Sequence, residues 1–276
     1  MRLGIVGAGA LGTFFANALE RVASIEILRR GGDPLRLARV DAVLLAVKTY
    51  DTTAALSPLR GALGPKTAIV SLQNGLLQVS QIEAALGPQR PVVLAPTTEG
   101  ATRDPGGGVR RGGIGSTVLG IPGGRPGTDL PDVLAELFRS AGLAAEASTP
   151  IEPHLWAKLV VNAAINPVTA LARRPNSWIF EDSEAALRAA TLAREAAAVA
   201  GALGIGLPYL DPVARVVEVA RATALNRSSM LADLDAGRGT EIDAINGEIV
   251  RLGRLLGVSV SENERACDEV RRAAGA

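Results

Sequence analysis

Lys158, Asn162 and Asn166 recur at intervals of four residues, and in a helix that spacing stacks them along one face. Between them lie Leu159, Val160, Val161, Ala163, Ala164 and Ile165, which would sink the rest of the helix among apolar neighbours. Asparagine is a poor occupant of a helix interior because its amide competes for backbone hydrogen bonds. Two asparagines in line with the one charged residue of this stretch read as a polar stripe facing a cleft. There an ammonium group could stabilise and protonate negative charge building on an oxygen. The plainer alternative is a solvated face with an ordinary exposed lysine. Composition bears on the choice, because the 29 basic residues include only three lysines, Lys48, Lys66 and Lys158. Arginine serves wherever a generic positive charge will do. A buried lysine, unlike an arginine, can have its pKa lowered and exchange a proton near neutral pH.

That stripe needs a helical scaffold, and from Ile151 to the end the pattern is helical. Pro167 removes a helix hydrogen bond and disfavours helical geometry at Asn166, which predicts a kink or break there. Residues 183–203 form a long Ala-rich helix, the serines of the 226–230 stretch suit the cap of a short one, and another begins at 240–247. Glu241, in the first turn of that last helix, either stabilises the helix dipole or projects into the same cleft as Lys158. His154, the only histidine, lies four residues before Lys158 and is the rival proton donor; a cap or packing group is the commoner use of such a position.

The N-terminal half reads as alternating strands and helices. Residues 2–6 form a short apolar strand, followed by Gly7-Ala8-Gly9-Ala10-Leu11-Gly12 and a helical run over 13–21. Gly7 permits the tight turn, Gly9 lets the backbone approach a pyrophosphate, and Gly12 allows close helix–strand packing. Free N–H groups at the helix start would hold the phosphates. A second strand over 24–28 ends at Arg29 and Arg30. NAD sites carry an acid at this point, whereas an arginine accommodates the 2′-phosphate of NADP, so the sequence predicts NADPH held by Arg29. The alternative is two solvated loop charges.

Only residues 31–39 separate those arginines from the next strand, 40–47, too few for a helical crossover. The outer strand that would follow strand two is therefore predicted to be missing, with the chain crossing directly to the far side of strand one. Lys48 sits at the carboxyl end of the 40–47 strand, where such sheets bind ligands. A strand over 67–72 ends in Gln73-Asn74-Gly75; Asn74 either hydrogen-bonds the nicotinamide ribose or the substrate, or simply makes an Asn-Gly turn. A strand over 91–95 leads to Ala101. Residues 105–127, rich in Gly and Pro, read as a loose antiparallel addition at the sheet edge, followed by a helix over 130–141 and a strand over 144–148. Thr149-Pro150 and Pro153 mark a boundary between domains 1–149 and 150–276.

The length suffices for two domains with real cores, and 47% hydrophobic with 21% charged residues fits a globular enzyme. A net charge of +1 gives no case for nucleic acid or an anionic membrane. One cysteine, Cys267, excludes an internal disulfide and fits a reducing cytoplasm. The apolar N-terminus could pass for a signal peptide, but four glycines interrupt it and Glu20 and Arg21 follow directly. No uninterrupted apolar run reaches the roughly 18 residues of a spanning helix. No metal site is expected, and an Ala- and Leu-rich helical domain could form a homodimer.

Four blocks carry a resemblance. They are Gly7–Gly12, Gln73-Asn74-Gly75, the Lys158-Asn162-Asn166-Pro167-Thr169-Ala170-Leu171 run, and Ser228-Ser229-Met230 leading to Thr240-Glu241-Ile242-Asp243-Ala244-Ile245-Asn246-Gly247. Over nearly all 276 residues the chain resembles the ketopantoate reductase (2-dehydropantoate 2-reductase) family. The resemblance implies a Rossmann-type α/β domain plus an all-α domain, and NADPH-dependent reduction of 2-dehydropantoate to D-pantoate in the pathway to pantothenate and coenzyme A. It implies that Lys158 donates the proton and that Asn162, Asn166, Asn176 and Ser229 contact substrate. It further implies that Glu241 lies near the lysine and cofactor and that Lys48, Asn74 and Ala101 line the nicotinamide side. The segment after strand two is shorter than is usual in the family. The runner-up readings are an NADPH-dependent reductase of another small 2-keto acid or an imine, and a non-catalytic NADPH sensor.

Overall fold

Strand β1 (Arg2–Val6) lies between two parallel neighbours, β2 (Ser24–Leu28) on one side and β3 (Ala42–Leu45) on the other. The computed structural model describes residues 1–104 and 106–275; Pro105, which opens the predicted antiparallel segment, and Ala276, which ends the predicted helical domain, lie outside them. With β4 (Ala68–Ser71) and β5 (Val92–Leu94) the five strands form one parallel sheet in the order β2-β1-β3-β4-β5. Central strands read as unbroken apolar runs because both faces are covered, and all of β3 and β4 is buried.

Between β2 and β3 stands only a 3-10 turn, Pro34–Leu37, capped by the Asp33 carboxylate, which accepts from the Leu35 N–H at 2.9 Å. The predicted loss of the outer strand is observed: among the described residues β2 is the edge. Leu37 is fully buried and presses on β1. A Cβ at Gly4 would stand 2.9 Å from its Cδ2. One leucine thus seals part of the sheet face that a crossover helix would otherwise cover.

Helix α1 (Ala10–Leu19) starts three residues before the predicted run. Phe15 is fully buried in it, edge-on to Phe14 and 5.4 Å from Phe138 of α4 (Leu130–Ser140). Helices α2 (Thr52–Leu56) and α3 (Gln78–Leu86) join the strands beyond β3. The Gly- and Pro-rich segment resolves into two pieces. β6 (Gly100–Arg103) and β7 (Val109–Gly113) form an antiparallel hairpin of their own, packed on α1. β8 (Ser116–Leu119) pairs in parallel with β9 (Ala144–Ala147) and meets the end of β5 through single antiparallel bridges, Leu94 to Gly120 and Thr97 to Thr117.

The chain forms two compact units, Met1–Gln73 with Leu77–Glu152, and Asn74–Leu76 with the residues from Pro153 onward. The second unit is helical: α5 (Glu152–Ala172), α6 (Trp178–Glu181), α7 (Ser183–Ala202), α8 (Pro212–Ala222), α9 (Ser229–Asp235), α10 (Glu248–Leu256) and α11 (Ser261–Gly275). Among the described residues α5 is the one helix long and apolar enough to cross a bilayer, yet it is a core helix, with Leu159, Val160, Ala163 and Ala164 packed against α7 and its neighbours.

The predicted break at Pro167 does not occur: α5 runs through it without interruption. Proline lacks the N–H that would bond the carbonyl four residues earlier, here Ala163. That carbonyl instead accepts from Asn246 Nδ2 at 3.0 Å. The hydrogen bond that local sequence removes is restored from a residue 83 positions away.

Phe15→Ala is expected to cost about 3–5 kcal/mol of stability through the cavity it opens between α1 and α4. Chemical denaturation checks this, and a loss under 1 kcal/mol would mean that this aromatic pair does not anchor α1.

Candidate functional site

In the first unit the glycine loop is built as its spacing requires. Gly7 has φ +106°, and a Cβ there would fall 2.5 Å from the Val47 nitrogen. A Cβ at Gly12 would fall 2.0 Å from the Gly7 carbonyl oxygen, so helix and strand can approach only without side chains. Gly9 differs: its Cβ would meet nothing within 4 Å. The loop therefore presents open space over Gly9 at the start of α1, whose first turn carries no acid and no side-chain cap. Ala8, Ala10 and Leu11 complete this backbone cradle, which suits a diphosphate.

A cation that the sequence reading missed reaches the loop. Arg103, on β6, donates from Nη2 to the Ala8 carbonyl. The hairpin that carries it is held by Arg111, which forks onto the buried Glu99 carboxylate (Nε to Oε2 2.8 Å) and lies 5.7 Å over the Phe14 ring. No local motif marks Arg103, because its partner is 95 residues away.

At the strand ends, buried Gln73 donates from Nε2 to Thr52 Oγ1 at 2.7 Å and to the Val47 carbonyl at 3.0 Å, tying the ends of β3 and β4 together. Half-buried Lys48 precedes the 3-10 turn Thr49–Asp51, and half-buried Ala101 lies on β6. Beyond β2, Arg30 pairs with Asp51 at 3.6 Å and Glu26 with Arg36 at 3.0 Å. Arg29 is exposed and has no ion pair among the described residues.

In the second unit Lys158, Asn162 and Asn166 share one face of α5, as the spacing predicts. Lys158 and Asn162 are half-buried and Asn166 is buried. Burial pushes the Lys158 ammonium down to about 8, while the charge of Glu241 pulls it back up. Desolvation wins, and the group stays protonated over most of the neutral range.

Glu241 is buried and accepts from Asn74 Nδ2 at 3.0 Å. Of the two sequence readings of the Asn-Gly pair, the turn is the one observed. Gly75 adopts φ +83°, and a Cβ there would sit 2.2 Å from the Ala244 carbonyl oxygen; the turn lets Leu76 N–H donate to that same carbonyl at 3.2 Å. The turn thereby brings the Asn74 amide onto Glu241.

The remaining candidates divide. Asn176 is buried, with Nδ2 donating to Thr223 Oγ1 at 2.9 Å and Oδ1 lacking a partner among the described residues. Ser229 is exposed in the first turn of α9. Its neighbour Ser228 is buried, caps α9 through the Leu231 N–H at 3.2 Å, and accepts from Thr169 Oγ1 at 2.9 Å. His154 stands half-buried in the first turn of α5. Tyr209, unremarked in the sequence, donates its hydroxyl to the Ala157 carbonyl beside Lys158 at 3.2 Å; burial pushes its pKa up to about 12, so it stays a donor.

Comparison with known proteins gives two family matches, "Ketopantoate reductase PanE/ApbA" over residues 32–124 and "Ketopantoate reductase PanE/ApbA C terminal" over residues 150–274. A 2-dehydropantoate 2-reductase of Archaeoglobus fulgidus is 34% identical, the alignment covering 98% of this chain and 97% of that protein. The crystal structure of a 2-dehydropantoate 2-reductase from Geobacter metallireducens GS-15 superposes with a TM-score of 0.89 at 26% identity, over 99% of this chain and all of that one. A D-mandelate dehydrogenase solved with NADH and anilino(oxo)acetate shares the fold, with a TM-score of 0.87 at 23% identity over 100% and 99% of the two chains.

The two loop glycines separate binding from folding. Gly9→Ala is expected to weaken dinucleotide binding with little change in melting temperature, because its methyl enters open space. Gly12→Ala, whose methyl collides with backbone, should lower the melting temperature itself. Equal thermal losses in the two variants would contradict this division.

Proposed function

The chain belongs to the ketopantoate reductase family, and we propose that it reduces 2-dehydropantoate to D-pantoate with NADPH, on the route to pantothenate and coenzyme A. The observation that carries this reading is Lys158. A half-buried ammonium with pKa near 8, on a stripe with two asparagines and beside a buried carboxylate, is the acid that ketone reduction needs.

When bound, NADPH would supply the hydride that adds to the ketone carbon, and negative charge would build on the ketone oxygen. Lys158 Nζ meets that charge as a cation and transfers its proton to the oxygen, leaving an alcohol and a neutral amine that water re-protonates. Glu241 keeps the amine basic enough to recharge, and Asn74 holds that carboxylate in place. Asn162, Asn166 and Asn176 offer hydrogen bonds to the keto acid, and exposed Ser229 offers a hydroxyl to its carboxylate.

The first unit's part is the cofactor. The glycine loop residues Gly7, Ala8, Gly9, Ala10, Leu11 and Gly12 take the diphosphate, with Arg103 adding positive charge at Ala8. Lys48 and Ala101 are assigned to the nicotinamide end. Arg29 is assigned to the 2′-phosphate: the neighbouring charges Glu26 and Arg30 are committed to Arg36 and Asp51, and Arg29 is left to meet an anion. The single cysteine is free and buried, which fits a cytoplasmic setting.

The direct test is NADPH oxidation by purified protein with 2-dehydropantoate, beside pyruvate and 2-ketoisovalerate. Selective turnover of 2-dehydropantoate is expected; faster turnover of another acid would reassign the substrate. Lys158→Ala should lower turnover by at least about 100-fold while NADPH still binds.

The pH profile follows from the same group. Reduction needs the protonated lysine, which is lost as pH rises through about 8, so the rate should fall along that limb. Glu241→Gln removes the charge that raises the pKa and should move the limb to lower pH; a shift to higher pH would exclude this coupling. Arg29→Ala should weaken NADPH far more than NADH, and equal losses in direct binding measurements would remove the 2′-phosphate role.

A further inference from the structure

Pro167 stands one residue after Asn166, about a quarter-turn round α5 from the end of the stripe that begins with Lys158 and Asn162. Its missing N–H leaves the Ala163 carbonyl without its helical partner, and the ring crowds that carbonyl. In most helices this bends the axis at that point. Here the freed oxygen lies between Asn162 and Asn166, so a bend would swing one asparagine relative to the other and to Lys158.

Asn246 fills the gap. It is fully buried, and its amide nitrogen donates to the Ala163 carbonyl at 3.0 Å and to Asn263 Oδ1 at 2.9 Å. Its own Oδ1 accepts from nothing among the described residues. Leaving a buried carbonyl unpartnered carries an energetic penalty, so this amide is placed for its donors. Asn263 in turn donates to Glu195 Oε2 at 2.8 Å and to the Leu192 carbonyl, which fixes the amide from the α7 side.

The backbone around Asn246 explains how it reaches α5. Residues Asp243–Gly247 form a π-turn. In an α-helix, positions 241 and 246 would point about 140° apart. The widened i→i+5 turn begins two residues after Glu241 and narrows that separation. Glu241 can then act on Lys158 while Asn246 bonds Ala163.

We propose that Asn246 is a positioning residue for keto-acid binding, replacing the hydrogen bond that Pro167 denies to Ala163 and so holding Asn162, Asn166 and Lys158 in one line. The inference rests on the proposed reduction for its substrate readout, while its structural core is a coupling between Asn246 and Pro167. Because Pro167 creates the need, removing Pro167 should remove the dependence on Asn246.

The experiment is a double-mutant cycle on the full-length chain, Asn246→Ala, Pro167→Ala and the pair. Asn246→Ala is expected to raise KM for 2-dehydropantoate about tenfold, the scale of one lost hydrogen bond, with NADPH Kd unchanged. Pro167→Ala restores an N–H for Ala163, so the double variant should recover KM to within about twofold of Pro167→Ala alone, and its melting temperature with it. As a control, Asn263→Ala cuts the other bond of the same amide and should lower the melting temperature without raising KM.

Independent, additive effects of Asn246→Ala and Pro167→Ala on both KM and melting temperature would overturn the proposal, as would an unchanged KM in Asn246→Ala. Should Asn246→Ala fail to fold, folding of the double variant is the same rescue, and failure of both would overturn it. A wild-type protein that ignores 2-dehydropantoate would instead sink the functional reading, and the melting-temperature cycle would still decide whether Asn246 replaces the missing bond.

Discussion

Holding one ammonium on an otherwise apolar helix is the constraint around which the helical unit is arranged. Desolvation favours the neutral amine at Lys158, and the charge of Glu241 draws the proton back. A carboxylate placed for that purpose must itself be buried and oriented, which is what the Asn74 amide provides at 3.0 Å. Asn74 can reach it because Gly75 turns at positive φ against Ala244, where no larger residue fits. One titration equilibrium thus links three segments that lie far apart in sequence.

The same helix carries a conflict between its stripe and its proline. Asn162, Asn166 and Pro167 each weaken a helix interior, two by competing amides and one by a missing donor. The structure answers the missing donor of Pro167 with a partner from elsewhere. Asn246 serves the Ala163 carbonyl, and the Thr169 hydroxyl donates to Ser228 Oγ at 2.9 Å. The motif around Lys158 and the motif around Ser228 and Glu241 are therefore one physical object divided between two stretches of chain.

That division explains what was legible in the sequence. The glycine loop, the short passage from β2 to β3 and the Lys158 stripe are local patterns, readable from spacing and residue type alone. The break at Pro167 was misjudged because the rule for proline counts only the helix's own hydrogen bonds. Arg103 left no local trace, since nothing in Thr102-Arg103-Asp104 announces a carbonyl 95 residues earlier. Ser229 and Ser228 look interchangeable in sequence, yet one is exposed and the other is the buried partner of Thr169. Partner-dependent features of this kind become visible only once the chain is folded.

The pruned edge of the sheet shows the same exchange of a local element for a specific contact. Losing the outer strand and its crossover helix exposes the flank of β1, and Leu37 from a single 3-10 turn covers it against Gly4. A leucine can replace buried apolar area, but it cannot replace the polar surface on which a longer segment would seat an adenosine. With Glu26 paired to Arg36 and Arg30 to Asp51, Arg29 at the end of β2 has no ion pair among the described residues. On the proposed reading, grip at this end rests on charge rather than on shape. Charge contacts at an exposed site are screened by salt, with a Debye length of about 8 Å at physiological ionic strength. The shortened edge therefore ties cofactor affinity to ionic strength more closely than a fully walled adenosine site would.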